Sequence, residues 1–199
     1  DFCLSRGLGD VYKRQLLCLS PDYIAGKMMI VRALLSGADL LVVTPSSLPL
    51  TAIDEPIDFA AMVPAQVVES LKSTMQKSRL SRITSLIIGG APLSPGTEVE
   101  LEKLPVDMYA TYGMTETVSH VALRRIGDSL SLYCALGGIS FSIDERNCLI
   151  IHAPHFSVKE FVTNDVVELV DSRNFRWIGR YDHVINTGAV SYTHLRAHE

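Results

Sequence analysis

Through residue 116 the apolar positions fall into short uninterrupted runs, each followed by a longer stretch with helical spacing. Leu16–Ser20, ending at Pro21, predicts a buried strand. Asp22 is placed to cap a helix over Tyr23–Ser36, with Gly37 as its stop. Ala38–Val43 predicts a second buried strand, and Thr44–Pro56, rich in Pro, Ser and Thr, a surface connection. Phe59–Val63 reads as a strand, with Pro64 opening a helix that runs to about Gln76. Leu86–Ile88 is a short strand entering Gly89-Gly90-Ala91-Pro92, followed by a helix over Pro95–Leu104 and a strand over Asp107–Tyr112. Strand alternating with helix predicts an α/β fold, a largely parallel sheet flanked by helices. After Thr115 the pattern changes. Val118–Ile126, Ser140–Ile143, Cys148–His152, Asp165–Val170 and Phe175–Ile178 are short alternating or apolar runs between turn residues, which predicts a β-rich subdomain. The expected organisation is thus an α/β part over 16–116, a β-rich part over 117–179 and a connecting segment over 180–189.

Composition narrows the function classes. At 199 residues and 47% hydrophobic, the chain can bury a core without covalent staples. Cys3, Cys18, Cys134 and Cys148 have no metal-ligand spacing, so reduced thiols and a cytoplasmic location are expected. The net charge of −4 and the lack of a basic stripe argue against a nucleic-acid partner. Lys27 and Arg32 interrupt the longest apolar stretch, so no membrane span is expected.

The two ends read differently from the middle. Ser5–Gln15 can be back-translated into a string whose reverse complement, in a shifted frame, encodes Val190–Glu199. Unrelated natural termini would not be complementary in this way. Residues 1–15 and 190–199 are therefore expected to be translated sequencing adapter, to be set aside in fold reasoning. On that reading His194 and His198 are not metal ligands.

The chemistry concentrates in residues 109–120. A strand ends at Tyr112, followed by Gly113, Thr115 and Glu116. Ligands of open parallel sheets sit at the carboxyl ends of strands. There Gly113 permits close backbone approach, Thr115 offers a hydroxyl to a phosphate oxygen, and Glu116 offers a hard oxygen to Mg²⁺. Tyr112 offers a flat face to a purine. A Thr-Glu pair alone would read as a helix-capping turn; the whole string favours the ligand.

The string Tyr112-Gly-Met-Thr-Glu-Thr117 resembles the signature of the adenylate-forming, AMP-binding superfamily of acyl-CoA synthetases, luciferases and adenylation domains. Four further stretches match that family in order: Phe59–Pro64, Leu86–Leu93, Phe161–Asp165 and Gly179–Gly188. The resemblance implies the front domain of an enzyme using ATP, Mg²⁺, coenzyme A and a small carboxylic acid. Acyl-adenylate and pyrophosphate would form first, then acyl-CoA and AMP. By the same resemblance Gly89, Gly90, Ala91 and Tyr112 frame adenine, Thr115 binds phosphate and Glu116 holds magnesium. Asp165 binds ribose, Arg180 contacts ribose or phosphate, and Asp182 is a domain hinge. The stretches Ile24–Arg32 and Tyr112–Arg125 look most like the o-succinylbenzoate–CoA ligases of menaquinone synthesis; a fatty acyl or aryl ligase, or a non-catalytic nucleotide-binding domain, is the alternative. Lys27, Ser119 or His120 could meet a dianionic acid, and His120 could equally be a half-buried strand residue. The family's phosphate loop and C-terminal catalytic lysine are expected to lie outside these residues, leaving the segment alone inactive.

Overall fold

The computed structural model describes residues 14–187 and 190–193, with side chains through Asp182. The stretches read as adapter fall largely outside this range, as does Gly188 of the hinge motif. Two compact units divide after Ser129.

The first unit runs β1 (Arg14–Leu17), α1 (Ile24–Ser36), β2 (Asp39–Val42), β3 (Ile57–Met62), α2 (Pro64–Lys72), α3 (Thr74–Leu80), β4 (Ile83–Ile88), α4 (Pro95–Glu102), β5 (Asp107–Gly113) and β6 (His120–Arg125). The sheet order is β2-β1-β3-β4-β5-β6, parallel except for β6, which is antiparallel to β5. The expected parallel α/β sheet is what forms. One face carries α2, α3 and α4 over a core of Leu16, Ala60, Met62, Val67, Leu80, Leu86, Ile88, Leu101 and Met108. Leu17, Met29, Ala61 and Ile87 form a second cluster, with α1 contributing the methionine.

Local chemistry explains where the elements start and stop. In α1 the buried residues Gly26, Met29 and Ala33 recur at helical spacing, and Gly37 ends the helix at φ 61°. Asp22 does not cap α1. The N-cap is Tyr23, and Asp22 instead pairs with the Ser20 hydroxyl, its Oδ2 2.9 Å from Ser20 Oγ. The strand expected to be buried at Ala38–Val43 is the sheet edge, with Val42 64% exposed. The helix expected from Pro64 to Gln76 breaks in two. Ser73 leaves the helical region and its hydroxyl accepts from Gln76 N–H, capping α3. The connection over 44–56 is only partly a surface one, since Leu50 and Ile53 are buried in the core. Arg79 holds it, donating to Leu50 O at 3.1 Å and pairing with Asp54 at 2.7 Å.

The second unit holds β7 (Tyr133–Ala135), β8 (Ser140–Ile143), β9 (Cys148–His152), β10 (Glu160–Asp171) and β11 (Asn174–Arg180), then β12 (Val184–Thr187) and β13 (Val190–Thr193). Its sheet order is β7-β11-β10-β9-β8, antiparallel throughout, and β12 pairs with β13. Phe175 anchors its core, stacked on Tyr133 at 5.3 Å and edge-on to Phe141 at 4.9 Å. No helix among the described residues is long and apolar enough to cross a membrane.

Candidate active site

Parallel register brings the carboxyl ends of β3, β4 and β5 side by side, with Met62 opposite Ile88 and Ile88 opposite Ala110. Gly89, Gly90 and Ala91 leave β4 there, and Gly113 closes β5. Gly89 donates to Met62 O at 3.2 Å. A Cβ on Gly89 would lie 2.0 Å from Thr111 Oγ1, so the Thr111 hydroxyl occupies the space a side chain would take. At Gly113 the close approach is to the chain itself. A Cβ would lie 2.6 Å from His120 Cα and 2.7 Å from Ser119 O, at the bulge where β6 joins β5.

Thr115–Thr117 form one 3-10 turn just beyond β5. Thr115 and Glu116 are exposed on it, whereas Thr117 is buried at 2% exposure. Glu116 makes no ion pair among the described residues, which leaves a hard oxygen donor available, as a magnesium ligand requires. Tyr112 is half-buried in β5, opposite Ala122 of β6.

A second group gathers near α1. The Arg32 guanidinium lies 4.8 Å from the Phe59 ring centroid, a cation–π contact, and donates to Met29 Sδ at 3.2 Å. Burial, and then the charge of Arg32, lower the His120 pKa to about 4. His120 is therefore neutral at pH 7, with Nδ1 3.3 Å from Ser119 Oγ. Lys27, on the same helix, is exposed. Of Lys27 and Arg32, the latter is the half-buried cation.

In the second unit the two motifs carrying Asp165 and Arg180 become register partners on β10 and β11. Asp165 accepts from Trp177 Nε1 at 3.3 Å and lies 3.5 Å from the Arg180 guanidinium, while its own N–H donates to Thr163 Oγ1 at 3.0 Å. Trp177 thus helps to orient Asp165. Asp182 is exposed on the 3-10 turn Tyr181–His183. Arg146, paired with Asp144 at 2.7 Å, lies 5.2 Å from the Tyr181 ring centroid and donates to Asn164 at 3.3 Å.

Two residues of the first unit had no site role assigned from the sequence. Arg32 follows buried Met29 by three positions, and that spacing marks it as bordering the buried face of α1. Thr117 lies three residues after Met114, the spacing of a hydroxyl that closes a turn on its own backbone. Neither buried cysteine, Cys18 or Cys148, offers a nucleophile. Burial pushes the Cys18 thiol up to about 12, and Cys148 is raised by burial and by Asp144. A cavity of about 470 Å³ lies by Ile83 and Asp107, where β4 and β5 begin, at the other end of the strands from this site.

The AMP-binding enzyme family matches residues 3–139 of the chain. No curated protein sequence matches it. An acyl-CoA synthetase (AMP-forming)/AMP-acid ligase II-like protein from Dyadobacter fermentans is 39% identical, over 92% of this chain and 53% of its own, with a TM-score of 0.81. O-succinylbenzoate coenzyme A synthetase from Bacillus subtilis, solved with ATP and magnesium ion, is 16% identical over 94% of this chain and 46% of its own, with a TM-score of 0.74. Escherichia coli MenE, solved with an analogue of OSB-AMS, is 19% identical over 96% and 45%, with a TM-score of 0.71. At such identities these last two speak to the fold alone. The chain spans about half the length of the solved structures it matches. With the family match covering well over half of its residues, on a sheet whose parallel strands end in the glycine and Thr-Glu turns described above, the chain belongs to the adenylate-forming AMP-binding enzyme family.

Proposed function

We propose that the protein carrying this chain is an ATP-dependent acid–CoA ligase whose acid is aromatic with a second carboxylate, of the o-succinylbenzoate type. In the first step a carboxylate oxygen bonds to the α-phosphorus of ATP and the bond to pyrophosphate breaks. In the second, the CoA sulfur bonds to the acyl carbon, AMP leaves with the oxygen, and the thiol proton passes to solvent. Positioning and charge neutralisation dominate such chemistry. Thr115 would hold a phosphate oxygen, Gly89–Ala91 and Tyr112 the adenine, Asp165 and Arg180 the ribose, and Asp182 would serve as the hinge. Glu116 is the residue that would hold Mg²⁺, which when bound offsets phosphate charge.

The observation that carries the acid class is the half-buried Arg32 over Phe59, close enough to depress the His120 titration. A fixed cation on an aromatic floor suits a ring bearing a second carboxylate. Neutral His120 and the Ser119 hydroxyl can donate to that carboxylate, and exposed Lys27 adds long-range attraction at most.

The test is acid-dependent pyrophosphate release by the full-length protein, over a panel of o-succinylbenzoate, benzoate and straight-chain fatty acids. A kcat/KM for the dicarboxylic acid at least about 100-fold above the others is expected, because a half-buried cation beside the acid site favours the acid that brings a second carboxylate to it. Preference for a fatty acid would overturn the acid class alone; no pyrophosphate with any acid would overturn the ligase reading.

A further inference from the structure

The turn that displays Thr115 and Glu116 is held by a residue to which no role has been given. Thr117 is 2% exposed, and its hydroxyl sits between both ends of the turn. It accepts from Met114 N–H at 3.1 Å, and its single proton can go to Met114 O at 2.9 Å or Ser119 O at 2.8 Å. Just after it, Val118 has φ 63° and ψ −41°, and Ser119 N–H donates to Thr117 O at 2.6 Å. That is a γ-turn of the positive-φ kind, rare and strained, here at a β-branched residue half exposed to solvent. Side-chain packing of Val118 does not account for the strain, whereas the hydroxyl bridge of Thr117 spans the strained residue directly. The same reversal brings Ser119 and His120 back against Gly113, where only a glycine fits.

We infer that Thr117 is the positioning residue of the nucleotide turn: its buried hydroxyl ties Met114 to Ser119, holds the strained reversal at Val118, and so fixes Thr115 and Glu116 toward magnesium-bound nucleotide. Thr117 itself touches no phosphate. The inference rests on the ligase reading above and assigns the aim of its phosphate-binding groups to one hydrogen-bonding side chain.

The experiment compares wild type, Thr117→Val, Thr117→Ser and Thr117→Cys in the full-length protein, measuring KM for MgATP and for the acid separately. Valine keeps the shape and removes the hydroxyl. KM for MgATP should rise about 10- to 100-fold, the range expected when binding groups shift by an ångström, with KM for the acid within about twofold. Serine, which restores the hydroxyl, should recover most of the loss. Cysteine, a weak donor of similar size, should fall between and carries the same test if the valine variant does not fold. A folded Thr117→Val or Thr117→Cys enzyme with wild-type KM for MgATP would overturn the inference while leaving the ligase reading intact. Wild-type protein without acid-dependent pyrophosphate release would instead overturn the ligase reading, and the inference with it.

Discussion

Replacing Gly26 by alanine tests whether helix propensity or packing decides the stability of α1. Gly26 lies in the first turn of that helix, where alanine is normally worth about 1 kcal/mol over glycine. Here a Cβ would meet Ser20 O at 2.2 Å, Ser20 C at 2.5 Å and Leu19 O at 2.9 Å. The nearest of these is roughly 1 Å short of an ordinary contact, and every one is backbone. That backbone cannot give way freely. Cys18 O accepts from Gln66 Nε2 at 3.1 Å, and Ser20 O accepts from Tyr23 N–H at 3.2 Å. Overpacking of this kind costs about 1–3 kcal/mol, and loss of the Ser20–Tyr23 bond about 1 more, so Gly26→Ala should be destabilising by about 1–3 kcal/mol net. Urea unfolding of wild type and variant reads this as a midpoint roughly 0.5–1.5 M lower at unchanged slope. Because Arg32 rides on the same helix, the shift should also draw it away from Phe59, and the NMR titration of His120 should move up. A midpoint equal to or above wild type would refute the packing argument, and with it the claim that α1 is held fixed by the approach of Gly26 to the β1 exit.

Two further outcomes follow from the same geometry. The His120 pKa is depressed to about 4 from an ordinary 6.5, so its stabilising contribution is complete above pH 6.5 and is lost as pH falls from there through 4. Wild type should therefore lose about 2–3 kcal/mol more than His120→Asn between pH 7.5 and pH 4.5. The low-titrating carboxylates Asp144 and Asp171 act equally in both proteins, and matching pH profiles would refute the assignment. Arg124 pairs in two-pronged fashion with Glu98, at 2.9 and 2.5 Å, with side chains only 11% and 20% exposed, tying β6 to α4. Glu98→Gln should cost about 2–3 kcal/mol in urea unfolding, and Glu98→Leu with Arg124→Met should recover part of it, since a buried charge left without its partner is worse than an apolar pair. A loss under about 0.5 kcal/mol would place the pair in the solvent-screened class.

The elements legible in the sequence were those whose signal is local. Gly37 ended α1, Pro64 opened α2, and the glycines after Ile88 marked the turn at the end of β4. The strands Ser140–Ile143 and Cys148–His152 begin and end where their alternation does. What failed depended on neighbours. A run of apolar residues looks the same at a sheet edge as at its centre, so β2 read as buried. The helical spacing carries through Ser73, and only its cap geometry shows two helices. Leu50 and Ile53 sit in a Pro- and Thr-rich stretch, and their burial comes from Arg79 pinning that loop to the core. Gln15 shows the converse. It is a buried amide next to Leu16 and Leu17 of β1, with Nε2 donating to Ser36 and Oε1 unpartnered among the described residues.

Motif resemblance and tertiary contact select different residues. Thr115, Glu116 and Asp165 stand out in sequence because their chemistry suits a ligand. Glycines at 89 and 113 stand out too, but the structure assigns them a partner within the chain, Thr111 and the His120 backbone respectively. Arg32 and Thr117 lie within matched stretches that assign them no role, and each gains its meaning from contacts made only on folding: an aromatic ring under the guanidinium, and two backbone carbonyls around the hydroxyl. The polar groups that aim a site are the ones that folding buries, since a buried hydroxyl or guanidinium must find partners and thereby fixes whatever backbone supplies them. By that logic Trp177 and Arg180 should matter to Asp165 as Thr117 does to Thr115 and Glu116. They set the direction of its carboxylate, and a change at Trp177 should be felt in nucleotide affinity before it is felt in the stability of the sheet.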